Sequence, residues 1–214
     1  IYIENNGLWA SYEGGAGTNG GTQYIAPGQR FFVQCNDVAG GSLGFDPSTR
    51  THTRSAFFKN SVTNLVKLQA SGNNRTDETV VRFLEEATTG FDGGFDARKF
   101  HSSIAGYPEI PQIYSIDNGN LSINSLPATG TIALGFKAGI EGTYTIQATE
   151  ISDMPKVDLE DRSTGIITNL LKNPYSFNYQ PGESETVDCQ HACIPRDEQG
   201  IRQATRKLHC QSNF

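Results

Sequence analysis

The densest group of carboxylates in the chain is the stretch EEATTGFDGGFD, residues 85–96. Hard cations such as calcium take several oxygen ligands from a flexible loop, and carboxylates separated by glycine can wrap around one. Glu85, Glu86, Asp92 and Asp96 are therefore the candidate calcium ligands, with further oxygens at Asp77, Glu78 or Asp46. The D-x-D-x-D-G spacing of an EF-hand is absent. The plainer reading makes this a loop in which Glu85 and Glu86 face solvent and Phe91 and Phe95 plug the core. A second motif is G-x-S-x-G at residues 40–44. In hydrolases it forms a strained strand-to-helix elbow that exposes the serine. Here FDPSTR follows, and Pro47 opposes a helix, so a glycine-rich turn is expected. An enzyme would use Ser42 as nucleophile, His52 or His101 as base, and Asp46 or Asp92 to orient that base.

Two further groups suit binding rather than catalysis. Arg50 and His52 are two apart in an alternating stretch, so they share a strand face and could hold an acidic or hydroxylated ligand. Trp9, Tyr12 and Tyr24 offer flat apolar rings that match the axial C–H groups of sugars. Core filling is the alternative use of such rings. The four cysteines are unevenly placed, with Cys35 in the body and Cys189, Cys193 and Cys210 near the end. Zinc would need those three with His191 or His209, but no second tight pair completes the pattern. Disulfides or free thiols fit better, and the pairing stays open.

These residues must be positioned by strands. The 214 residues include 23 Gly, 12 Phe and 8 Tyr but one Met, a composition of strands and turns. Net charge is −6, so there is no electrostatic footprint for nucleic acid or anionic membranes. No apolar run reaches the 18 or so residues of a membrane helix, so no membrane insertion is expected. Strand-like runs fall at 8–12, 30–35, 65–70, 79–85, 112–116, 121–124, 131–137, 143–149, 156–161, 165–170 and 175–179. Between them lie turn signals: GGAGTNGG at 14–21, SGNN at 71–74, DNGN at 117–120 and PG at 181–182. DNGN is a hairpin candidate. The long connection 87–111 is expected to be functional or tied down.

Several blocks follow one another in order: YIAPGQRFFV (24–33), GSLGFDPSTRTH (41–52), FFKN (57–60) and DETVVRFLEEATTGFDGGFDARKF (77–100). PQIYSI (111–116), LSINSLP (121–127), LGFKAGIEGTYTI (134–146) and LEDRSTGIITNLLKNPYSF (159–177) follow. This set resembles the β-sandwich module near the C-terminal end of Bacteroidetes surface proteins exported by the type IX secretion system. The resemblance implies a secreted, extracellular or cell-surface setting beside other domains of a longer protein, which is adhesin-like or a multidomain enzyme. Against that family the chain reads as truncated at its front, and its tail ESETVDCQHACIPRDEQGIRQATRKLHCQSNF is atypical.

The expected architecture is all-β: one β-sandwich of jelly-roll type over residues 1–182, with the Cys-bearing tail at 183–214. The expected function is a non-catalytic extracellular binding or adhesion module. Glycan or surface polymer is the ligand class, Trp9, Tyr12, Arg50 and His52 the binding residues, and calcium a loop stabiliser. The alternatives are a calcium-dependent hydrolase of an ester, lactone or glycan, and a structural spacer.

Overall fold

The computed structural model describes residues 1–35, 37–51, 63–127 and 131–181. His52, the block at 57–60 and all of the tail cysteines and histidines lie outside these residues. So do the 183–214 segment and every other cysteine with which Cys35, itself exposed, could pair.

The described residues form thirteen strands. They are β1 (Tyr2–Asn5), β2 (Leu8–Glu13), β3 (Ala16–Thr18), β4 (Leu65–Gly72), β5 (Arg75–Phe83), β6 (Ala97–Arg98) and β7 (Gln112–Ile116). Then come β8 (Asn120–Leu126), β9 (Ala133–Lys137), β10 (Gly142–Ser152), β11 (Asp158–Asp161), β12 (Ile166–Asn169) and β13 (Tyr175–Tyr179). A single 3₁₀ turn at Pro47–Thr49 is the one helical element, and no α-helix occurs among the described residues. The all-β class expected from composition is therefore what the protein has. Its form is a strongly curled, mixed half-barrel sheet accompanied by two small sheets, and this order does not display jelly-roll topology.

Local turn chemistry makes the hairpins. Two-residue loops favour turns with positive φ at both central residues, which Asn and Gly adopt at least cost. Asn6-Gly7 joins β1 to β2, Gly14-Gly15 joins β2 to β3, and Asn73-Asn74 joins β4 to β5, all with positive φ. Asn118 and Gly119 turn β7 into β8, as DNGN predicts. The run at 30–35 does not form a strand; it contributes one bridge, from Phe32 to Tyr2.

The large sheet runs β13-β10-β4-β5-β8-β7-β9, with β6 also paired to β8. All its pairings are antiparallel except β5 with β8. Period-two alternation sends Val66, Leu68, Ala70 and Val81 into one core with Phe136, Tyr144 and Phe177. The curl is visible in the rings. Phe136 on end strand β9 lies 5.0 Å from Phe177 and 5.2 Å from Tyr179 on the opposite end strand β13. A second, smaller core of Tyr2, Ala16, Leu65, Val80, Ala97 and Ile123 joins the β1–β3 sheet to the large one. The long connection 87–111 is tied down by β6 and by the buried side chains Asp96, Lys99 and Ser102.

Candidate functional site

The β1–β2 hairpin carries a cleft of about 340 Å³ beside the segment 19–29. That volume lies at the lower end of the range of small-molecule sites. Ile3, Ala10 and Ile25 supply apolar wall, Asn5, Asn19, Thr22 and Gln29 supply amides and a hydroxyl, and Tyr24 supplies a ring. Two glycines let the chain lie this close. A Cβ at Gly17 would sit 2.1 Å from the Gly21 carbonyl oxygen, and one at Gly21 would sit 2.1 Å from that of Ser11. Both neighbours are backbone, so neither can yield. The Gly21 amide closes the turn on the Thr18 carbonyl at 2.8 Å. Thr22 Oγ1 donates to the Tyr24 carbonyl, and the Gln29 side-chain oxygen accepts from the Ala26 amide.

Of the three aromatic candidates, Tyr24 lines this cleft. Trp9 packs edge-on against Phe100 at 5.0 Å and tilted against Phe32 at 5.6 Å, at the margin of the smaller core. Tyr12 is half-buried on β2 and is not among the cleft residues. Arg50 is exposed at the end of the 3₁₀ turn, and its expected companion His52 lies outside the described residues.

The carboxylates of the 85–96 stretch hold its own backbone. Asp92 Oδ1 accepts from the Gly94 amide at 2.9 Å. Asp96 Oδ2 accepts from the Asp92 amide and Oδ1 from the Ser125 amide, both at 2.7 Å. Burial pushes the Asp96 carboxyl above the usual range, opposed by those two amides. Glu85 and Glu86 are exposed. No group of three or more His, Cys, Asp or Glu disposed to hold a metal ion occurs among the described residues. Phe91 carries the Arg98 guanidinium 3.7 Å above its ring and is half-buried, not a core plug.

Ser42 lies in an exposed loop, and Asp46 caps the 3₁₀ turn through Ser48 N at 2.8 Å. Hydrogen bonds from Ser48 hold the Asp46 carboxyl below its ordinary value. His101 is committed elsewhere. The Asn120 side-chain amide donates to Nε2 at 2.9 Å, which leaves Nδ1–H to donate to the Gln112 oxygen at 3.1 Å. Both ring nitrogens are thus engaged, and the ring packs edge-on against Tyr114. Among the described residues no hydrogen bond joins Ser42, His101 and Asp92.

Burial, aided by the positive charge of Lys137, depresses the His101 pKa from 6.5 to about 4. The unfolded chain takes up this proton as pH falls below 6.5, whereas the folded chain resists until about 4. Its contribution to stability is therefore full above 6.5, declines as pH falls towards 4, and is gone below that. Thermal midpoints at pH 7 and pH 4.5 should differ more for the wild type than for His101→Gln. Equal differences would remove His101 as the source.

Sequence reasoning named Asp77 and Glu78 only as further calcium oxygens and did not find the polar centre that Asp77 forms under the β1–β3 sheet. Asp77 of β5 is buried in contact with Lys99 Nζ. Its Oδ1 accepts from Asn19 Nδ2 at 2.7 Å and its Oδ2 from the Ile113 amide at 2.8 Å. Asn19, at φ +51, also donates its backbone amide to Glu78 Oε2 and its side chain to the Trp9 carbonyl. One carboxylate therefore links β5, β7, the segment after β6 and the turn that borders the cleft. The available signal was an Asp two residues before the strand-like run at 79–85, which the structure extends back to Arg75 as β5, and such residues are depleted in strands. A buried arginine stands nearby on the same strand. Arg82 donates Nε to Ser125 Oγ at 2.8 Å and Nη1 to the Gly14 carbonyl at 2.5 Å.

Comparison with known proteins gives a family and one partial relative. A family model described as a domain of unknown function (DUF8693) matches residues 2–186. The minor fimbrium subunit Mfa5 of Porphyromonas gingivalis is 30% identical over 98 residues, which is 44% of this chain and 8% of that protein. The shared stretch is thus a small part of that relative. No solved structure matches the chain.

Proposed function

Since the chain belongs to the DUF8693 family, we propose that it serves as a non-catalytic adhesion module of a secreted cell-surface protein, with a glycan as ligand. The observation that carries the surface role is the 98-residue likeness to a fimbrium subunit. The cleft beside β1 and β2 supports the ligand class. Sugars present apolar C–H faces and hydroxyl edges together. Tyr24 answers the first, and Asn5, Thr22 and Gln29 answer the second.

The test is binding to an array of bacterial and host glycans, with Tyr24→Ala beside the wild type. At any glycan bound, the variant should lose about tenfold in affinity, or ~1.4 kcal/mol, with an unchanged unfolding curve. Equal binding by both would remove Tyr24 from the site. Absence of binding to any glycan would reject the ligand class and favour the spacer reading.

A further inference from the structure

The contact between Lys99 and Asp77 carries more than an ion pair requires. Their side chains are 3% and 2% exposed, so water is excluded from the junction. An ammonium group has three protons to place. Among the described residues Nζ has two acceptors, Asp77 Oδ2 and the Glu78 carbonyl at 3.5 Å. A buried lysine so poorly supplied is a costly ion. An amide N–H at the same atom would need one acceptor, which the Glu78 carbonyl offers. The carboxyl group is meanwhile activated from both sides, because Asn19 Nδ2 donates to Oδ1 and the Ile113 amide to Oδ2. Donors fixed on both oxygens are placed to hold the negative charge that develops when a nucleophile adds to the carbon between them.

We propose that Lys99 and Asp77 are joined by an intramolecular isopeptide bond that forms within the folded protein. One proton passes from Nζ to the carboxylate across the contact, giving an amine and a carboxylic acid. The nitrogen lone pair then adds to Asp77 Cγ. One carboxyl oxygen remains as the amide carbonyl. The other leaves as water with two protons, the acid proton and one from the nitrogen. No oxidant or co-reactant takes part. The dry site disfavours the reverse hydrolysis, and preset geometry replaces an external activating group. The bond would bridge a sequence separation of 22, closing the long connection onto β5. It does not depend on the glycan reading.

Intact-mass measurement of the purified wild-type chain tests it. The expected mass is one water below the sequence mass, and Lys99→Arg should restore the full value. Protease digestion should yield a branched peptide joining the segments that contain Asp77 and Lys99. A wild type at full mass overturns the proposal. A one-water loss confined to a single linear peptide, as in a succinimide, overturns it equally.

Discussion

Replacement of Asp77 by alanine should lower the unfolding free energy by about 3–5 kcal/mol, because the variant can form neither the cross-link nor the ion pair and leaves Lys99 as a buried ammonium without its carboxylate. Three groups lose an acceptor at once: Lys99 Nζ, Asn19 Nδ2 and the Ile113 amide. Two of them are pinned to backbone or turn geometry and cannot turn to water. Native domains hold roughly 5–15 kcal/mol in total, so the variant should approach unfolding at ordinary temperature. Glu86→Ala is the matched control. Glu86 is exposed, and such substitutions stay within about 0.5 kcal/mol. Denaturant titration of both variants reads the difference. A loss below about 1 kcal/mol at Asp77 would show that the buried centre does not hold the β1–β3 sheet to the larger one.

Phe136→Ala should cost about 3–5 kcal/mol, the usual loss for a buried phenylalanine truncated to alanine. Phe136 touches Tyr144, Phe177 and Tyr179, which lie on β10 and β13 at the far end of the sheet order. Removing the ring opens a cavity where the two ends of the curled sheet meet, so its effect should not stay on β9. Amide exchange should quicken on β9 and β13 together. Faster exchange on β9 alone would mean that the ring fills space without coupling the ends.

The strands were largely legible in the sequence. The runs at 112–116 and 175–179 match β7 and β13 residue for residue, because alternation and flanking turn residues act locally. The β1–β2 hairpin was also written there, in Asn6-Gly7 between short apolar runs, although β1 was not expected. The run at 30–35 misled for the opposite reason. RFFVQC has strand composition, but among the described residues its backbone pairing is a single bridge from Phe32 to Tyr2, and Phe32 and Val33 stay exposed. Composition favours a strand and cannot supply the neighbour that a strand needs.

The candidate site divides along the same line. Acidic density drew attention to 85–96, and in the folded chain Asp92 and Asp96 satisfy backbone amides of that stretch and of β8. Serine, histidine and aspartate occur as a relay would need them, yet His101 is held by Gln112 and Asn120. Trp9 looked like a sugar platform and packs on Phe100, while Tyr24 reaches the cleft. Residue type states what a group can do, and burial decides what it is left free to do.

The sequence by itself determined an acidic all-β chain, its turns and most of its strands. These follow from φ preferences and a period of two, which involve residues a few positions apart. Only the tertiary structure decided that β5 lies parallel to β8, that β9 curls back over β13, and that Asp77 meets Lys99 and Asn19. Those pairings join residues distant in the chain. Their reward is the removal of apolar surface and charge from water, and that quantity exists only once the whole sheet has closed.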